Sequence, residues 1–341
     1  MRQSATPRFT TREPHQAALI AAAEARGIEW IDLAPLWDYD AVLFRQGERE
    51  ALVRKGRCYP ELTSHAEFIC DQKHVTKAVL AELGLPTPVG LLIDDAESQR
   101  DEITAFLARV GAAVCKPAAG THGRGVAFSL TQTDAVVAHC GALQASYRSF
   151  VLERQIVGDD LRLQVIGGEL YAACVREPAS IVGDGTRTVG ELASARHEEV
   201  QHQSSRNRLL LDGESMSCLA EVGLHLEDVP ARGRTVRLKR VPSIGEGGRA
   251  RDVTETLHPI YRAWCPRISA RLGLSIFAID AIASAPDRPD GVILEINARS
   301  EWLHHSFTEG RQHDVAGAVL ADLLALSDRR GSSRHDLQPA D

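Results

Sequence analysis

Lys116-Pro-Ala-Ala-Gly-Thr-His-Gly-Arg-Gly-Val126 places one lysine, three glycines and an arginine within eleven residues, directly after the apolar run Val110 to Cys115. A strand that ends in lysine, followed by a loop freed from Cβ sterics at Gly120, Gly123 and Gly125, can bring backbone N–H groups close to a polyanion. No G-x-x-x-x-G-K-[ST] occurs in the chain, so this is not the usual phosphate loop. A plain turn between two strands is the alternative, and the stretch by itself does not choose between them.

Composition bounds the choice. At 341 residues the chain is long for one core, and two or three packed subdomains are expected. Its 44% hydrophobic content is ordinary for a globular protein, and no apolar run approaches the ~18 residues that span a bilayer. Met1-Arg-Gln-Ser-Ala-Thr-Pro7 lacks the apolar core of a signal peptide, so a cytoplasmic protein with no membrane partner is expected. Seven cysteines are scattered and never in C-x-x-C spacing, which argues against disulfides and structural zinc. The net charge of −7 disfavours nucleic acid as a partner.

Outward from the glycine-rich stretch, helices and strands alternate, with hairpins in the middle. That layout is α+β, not a doubly wound sheet. Gln16 to Arg26 reads as a helix stopped by Gly27, and a strand follows over 28–33. A hairpin over 41–53 then turns near Gly47. Asp71 is placed to cap a helix carrying Val75, Val79, Leu80 and Leu83 that ends at Gly84. Strand character runs from Pro88 to Ile93 and a helix covers about 97–109. Leu152 to Arg176 reads as two strands joined at Gly167-Gly168. The 185–250 region mixes glycines and charges and yields no clear element. Leu257, Ile260, Tyr261, Trp264, Ile268 and Leu272 form a helical stripe, and apolar strands follow at 275–282 and 292–298. Asp314 is placed to cap a last helix through Leu326.

Three sets of residues carry chemistry. Glu295 and Asn297 lie two apart on a strand, facing the same way about 6.6 Å apart. With Asp280 on the preceding strand they offer oxygen ligands suited to Mg²⁺; a hairpin with a solvated polar face is the alternative. Glu153-Arg-Gln-Ile156-Val-Gly-Asp-Asp160 is a strand entering an acidic turn, able to offer backbone groups to a base and a carboxylate to ribose hydroxyls, or simply a strand and its turn. Lys73, Lys77, Lys116, Arg124, Arg162, Arg176 and Lys239 are cations able to clamp phosphates if they converge. His304-His305 is not read as a metal pair, because adjacent side chains on a regular element diverge; a loop or substrate contact is expected.

These sets occur together and in order, and here the chain resembles the ATP-grasp superfamily, in particular the ATP-grasp module of cyanophycin synthetase and of bifunctional glutathione synthetases. The matching pieces are Asp71-Gln-Lys73-x₃-Lys77 with Gly84-Leu-Pro86, Thr121 to Val126, Glu153 to Asp160, and Arg162-Leu-Gln-Val-Ile-Gly-Gly168. Val182-Gly-Asp-Gly185, Gly247-Gly248 with Asp252-Val-Thr254, and Glu295-Ile-Asn297 complete them. The likeness runs from about residue 60 to 325, and its strength lies in the pieces being in register.

The resemblance implies an ATP-grasp fold of two α+β lobes clasping ATP. Residues 1–70 would be a preceding α/β subdomain, 71–151 the central lobe with the glycine-rich lid, 152–328 the lobe with the metal site, and 329–341 a tail. It implies that Lys73 and Lys116 hold nucleotide phosphates while Gly120, His122, Gly123, Arg124 and Gly125 close over them. Glu153 and Ile156 would face the adenine and Asp160 the ribose. Asp280, Glu295 and Asn297 would bind two Mg²⁺, with Mn²⁺ an alternative. Arg162 or Arg176 would stabilise the transferring phosphoryl group or the oxyanion, and Lys239 is counted with them as a catalytic cation. Gly247, Gly248, Arg299, Glu301 and His305 are the substrate candidates.

A regular ladder from Gly167-Gly168 pairs Ile166 with Glu169 and puts Arg162 and Arg176 on opposite faces, so both reach one phosphate only if a bulge intervenes. After Asn297 the family's Pro-Gly-like turn is replaced by Arg299-Ser-Glu-Trp302, which sets substrate choice apart from that of cyanophycin synthetase. The expected function is ATP-dependent carboxylate–amine ligation through an acyl phosphate, on small-molecule carboxylate and amine substrates, by a homo-oligomer (dimer or tetramer). The alternatives are phosphoryl transfer to a small acceptor and a non-catalytic nucleotide-binding module.

Overall fold

The computed structural model describes residues 12–120, 124–204 and 207–335. Among them the strands form four sheets, antiparallel throughout. Helix α1 (Pro14–Glu24) starts on a proline, whose missing N–H is harmless in a first turn, and gives way at Gly27 to β1 (Glu29–Asp32). A short α2 (Ala34–Trp37) leads to β2 (Ala41–Gln46) and β3 (Arg49–Arg54), joined by the turn at Gly47, φ 62°.

The helix expected after Asp71 forms, but Asp71 does not cap it. Asp71 closes α3 (Ser64–Asp71), Gln72 leaves the helical region at φ −100° and ψ 99°, and α4 (Lys73–Glu82) begins without a side-chain cap. Its first N–H instead donates to the Ala118 carbonyl at 2.9 Å, while Gln72 bridges to Ala119. The glycine-rich loop thus satisfies one of the orphan donors of the helix and is tied to it.

The middle of the chain builds a four-stranded sheet. In chain order it runs β4 (Gly90–Ile93), α5 (Arg100–Val110), β5 (Ala113–Pro117), β6 (Ala127–Leu130), α6 (Thr133–Leu143) and β7 (Phe150–Arg154), with strand order β4-β7-β5-β6. Ile103, Phe106 and Val136 of the two helices pack on Ile93, Cys115 and Leu152 of the sheet. Leu152 to Arg176, read as two strands, in fact contains parts of three. β7 ends in this sheet, and residues 155–158 cross to β8 (Asp159–Ile166) and β9 (Glu169–Glu177) of the next. The hairpin turn itself falls at Gly167-Gly168, both at positive φ (68° and 79°).

The 185–250 stretch, opaque in sequence, forms a satellite unit. It comprises β10 (Ser180–Val182), α7 (Val189–Gln203), α8 (Gly213–Glu221) and β11 (Thr235–Arg237) around Ile181, Val189, Leu192, Leu219 and Val236. Thr188 and Glu191 start α7 with a capping box. β12 (Arg249–Asp252), α9 (Pro259–Leu272), β13 (Phe277–Ala283) and β14 (Val292–Asn297) then complete a five-stranded sheet of order β12-β9-β8-β13-β14. Its residues alternate by face except at two bulges. Leu161, Leu163, Val175, Ile279 and Ile296 turn toward α4 and α9, where Leu80, Tyr261, Trp264 and Ile268 complete the largest core.

Helix α10 (Val315–His335) returns to the first sheet, with Asp314 accepting from Gly317 N–H at 3.1 Å as its N-terminal contact. The fold is α+β. No helix among the described residues is long and apolar enough to cross a membrane, and all seven cysteines are free.

Candidate active site

Two bulges decide what the polar face of the five-stranded sheet carries. From the Gly167-Gly168 turn the ladder pairs Ile166 with Glu169 and Val165 with Leu170, then shifts, so that Gln164 meets Ala172 and Tyr171 is the extra residue. Beyond the shift Arg162 opposes Cys174 and Asp160 opposes Arg176. Without Tyr171 the two arginines would project from opposite faces; with it they share one. A second shift in β14 leaves Leu294 unpaired, with Asp280 opposite Glu295.

The result is a ladder row in which Arg162, Asp280 and Glu295 stand side by side. Arg162 reaches Asp280 Oδ1 at 2.7 Å, and Arg176 reaches Asp280 Oδ2 at 3.3 Å and Asp160 Oδ1 at 2.6 Å. Asn297 Nδ2 donates to Asp280 Oδ2 at 3.2 Å and to Glu295 Oε1 at 3.3 Å. Burial works against the Asp280 carboxylate, but Arg162 and Arg176 outweigh it and hold the group well below the usual range. Glu295 has no arginine of its own: burial and then the Asp280 charge push its carboxyl up, with Lys73 and Lys116 pulling the other way. Deleting Tyr171 should therefore turn Arg176 away from Asp280. Turnover is expected to fall by about 10²-fold or more, with nucleotide-analogue binding retained; an unimpaired deletion variant would refute the role given to the bulge.

Facing this row is a lysine cluster. Lys73 is buried and donates to the Gly120 carbonyl at 2.7 Å, anchoring the loop on which Gly120 sits at φ 135°. Burial lowers the Lys73 ammonium pKa, Glu295 opposes that shift, and Lys116 adds to it, so lysines and carboxylates share one electrostatic neighbourhood. Glu153, buried at the end of β7, is clasped between Lys116 and Lys77, the latter at 2.7 Å. Lys77, counted in the sequence among the cations able to clamp phosphates, is paired with Glu153. Its i, i+4 spacing from Lys73 puts both on one face of α4. Glu153, expected at the adenine, has its carboxylate committed to these lysines, and Asp160, expected at the ribose, is committed to Arg176.

The remaining candidates are dispersed. Ile156 is half-buried in the crossing segment, Arg124 is exposed, and Gly125 holds φ 70° against Pro117 and Leu143. His122 and Gly123 lie outside the described residues. Lys239 is buried in the satellite unit, 2.6 Å from Asp212 at the start of α8. The carbonyls of Gly247 and Gly248 accept from Arg196 at 3.1 and 2.7 Å, and a Cβ on Gly248 would come within 2.6 Å of the Glu177 carbonyl. Arg299 pairs with Glu67 at 2.7 Å, Glu301 with Arg57, and His305 is fully buried.

Beside the Arg176 end of the sheet a cavity of about 270 Å³ is lined by Arg196, Gly248, Arg249, His304, Phe307 and Glu309, among others. Burial, reinforced by Arg162 and Arg176, keeps His304 neutral, its pKa pushed down to about 3. That effect of both arginines joins the cavity to the Asp280 row.

The fold is that of an ATP-grasp module. No family model matches the chain. In sequence it is similar to cyanophycin synthetase from Nostoc sp., 30% identical over 332 residues that cover 93% of this chain and 36% of that protein. It is also similar to the glutathione biosynthesis bifunctional protein GshAB from Mannheimia succiniciproducens, 27% identical over 263 residues, 72% of this chain and 34% of that protein. In structure it is similar to a bifunctional glutathione synthetase from Pasteurella multocida, with a TM-score of 0.70 at 22% identity over 95% of this chain and 45% of that one. The chain spans about a third of the length of the curated relatives it matches.

Proposed function

We propose that this module is an ATP-dependent ligase that joins a carboxylate to an amine through an acyl phosphate, releasing ADP and phosphate. The observation that carries the reading is the convergence of Arg162 and Arg176 on Asp280, next to Glu295 and Asn297 and facing Lys73 and Lys116. Two carboxylates and an amide oxygen form an all-oxygen donor set, and Glu295, with no cation of its own in that row, is the member most eased by a bound cation. The set therefore suits Mg²⁺, or Mn²⁺, in preference to softer metals. Such ions, two in this reading, would neutralise the triphosphate.

Lys73 and Lys116 would hold the phosphates, and the 120–125 loop would shield them from water. The substrate carboxylate oxygen attacks the γ-phosphorus and the bond to ADP breaks, leaving an acyl phosphate. The amine nitrogen then attacks the carbonyl carbon, the bond to phosphate breaks, and the amine loses its proton. Arg162 and Arg176 would spread the charge of the transferring phosphoryl group and of the tetrahedral oxyanion. The cavity beside His304 would receive the amine. The homologous cyanophycin and glutathione enzymes, whose names describe amide-forming syntheses, support this class of reaction.

The test is ADP release over a panel of carboxylates with and without amines. Release is expected only when both are present, and hydroxylamine in place of the amine should yield an acyl hydroxamate. Stoichiometric AMP, or a phosphorylated product that accumulates whether or not an amine is present, would contradict the mechanism.

A further inference from the structure

The loop after β14 is held from outside its own sheet. Trp302 is fully buried, and its indole N–H donates to the Tyr59 hydroxyl at 2.8 Å and to the Gly56 carbonyl at 3.3 Å. The His15 ring meets the indole edge-on with centroids 4.8 Å apart. Glu301 takes Arg57 on one carboxylate oxygen and has His15 Nε2 3.2 Å from the other. Arg57 itself has little freedom. Gly56 sits at φ 64° so close to α1 that a Cβ would lie 2.3 Å from the Gln16 nitrogen, and its N–H donates to Gln16 Oε1 at 2.6 Å.

The held loop is also where buried hydrogen-bonding capacity goes unused. Ser300 Oγ, His304 Nδ1, both ring nitrogens of His305 and Arg57 Nε are buried without partners. Buried polar atoms are nearly always paired, so several orphans in one short segment mark a place shaped for something other than its own stability. The same loop continues into His304, Phe307, Thr308 and Glu309, which wall the cavity next to the Asp280 row.

We propose that Arg57 is a positioning residue: clamped by α1 and bonded to Glu301, it fixes the 299–306 loop, so that the N-terminal subdomain sets which substrate the cavity accepts. This rests on the ligase reading for the word substrate, but not for the mechanical coupling. Arg57 acts through the loop and takes no part in nucleotide binding.

The experiment uses the full chain with Arg57→Ala, Arg57→Lys and Glu301→Gln. Three readouts are taken: hydrogen exchange by mass spectrometry, calorimetric binding of AMPPNP with Mg²⁺, and ADP release with a panel of amino acids each paired with hydroxylamine. Arg57→Ala and Glu301→Gln are expected to speed exchange across 299–306 roughly tenfold, the scale of a lost charged hydrogen bond. Exchange across 277–297 and AMPPNP affinity should stay as in the parent. The ratio of kcat/KM between preferred and poor amino acids should shift by a similar factor, and Arg57→Lys should restore part of it. Unchanged exchange and unchanged ratios in both charge-removing variants would overturn the proposal. Should Arg57→Ala fail to fold, Glu301→Gln, at a partly exposed side chain, decides the matter. A parent protein that binds AMPPNP yet releases no ADP with any pair would sink the ligase reading and the specificity claim, with the exchange data still judging the coupling.

Discussion

Glu295→Gln is expected to reduce ADP release by about 10²–10³-fold while leaving the fold intact. Glutamine keeps the shape and still offers Oε1 to Asn297, which donates to it at 3.3 Å in the parent. What it removes is a carboxylate charge crowded by Asp280, so the protein without nucleotide loses nothing that held it together. Asp280→Asn is the contrasting variant. Asp280 is 4% exposed and balances Arg162 at 2.7 Å and Arg176 at 3.3 Å, so its neutralisation leaves two confined guanidiniums uncompensated. Breaking such a buried pair costs about 3–5 kcal/mol, and a clear fall in melting temperature should accompany the loss of turnover. Thermal melts and ADP-release rates on both variants separate the two roles. A Glu295→Gln enzyme that turns over at the parental rate would remove Glu295 from the metal set.

Glu153→Gln should produce the largest effect on folding in the four-stranded sheet. Glu153 is 3% exposed and stands between the ammonium groups of Lys77 and Lys116. Burial by itself would raise its carboxyl pKa, but the two lysines outweigh burial and hold it below its ordinary 4.5. A depressed folded value means the stabilisation is present above the unfolded value and is lost as pH falls through the folded one. The parent should therefore be more stable than Glu153→Gln by about 3–5 kcal/mol near neutral pH, with the gap closing on acidification below about pH 4. Melting curves of both proteins across that range check it. A gap that persists undiminished in acid would mean that packing, not charge, holds this position. Turnover should fall as well, because Lys116 loses the partner that aims it.

Much of this site was legible in the chain because its signals are local. The Lys116–Val126 glycines, the period-two strands around Asp280 and Glu295, and the Gly167-Gly168 turn each follow from steric or hydrophobic rules that act within a few residues. The need for a bulge was legible too, since simple counting from the turn puts Arg162 and Arg176 on opposite faces. Its location was not, because Tyr171 carries no mark of a bulge; the shift is settled by what β9 packs against on both sides. Lys77 was legible as a cation four residues from Lys73, but its partner was not, since a lysine on a helix is ordinarily solvated. Only the approach of β7 to α4 gives it Glu153 as a partner.

The sequence by itself determined the α+β class, the hairpins and which side chains are of a type able to meet phosphate or metal, because each rests on local conformational preference and on side-chain type. Only the tertiary structure decided how those residues are paired. Glu153 and Asp160, expected beside the adenine and the ribose, lie in the fold against Lys77 and Lys116 and against Arg176, because burial makes an unpaired charge costly. The joining of the N-terminal subdomain to the 299–306 loop is likewise a tertiary fact. Trp302 lies 243 residues from Tyr59, and no local rule brings an indole N–H to that hydroxyl; only the closing of the core around α10 and β3 does so.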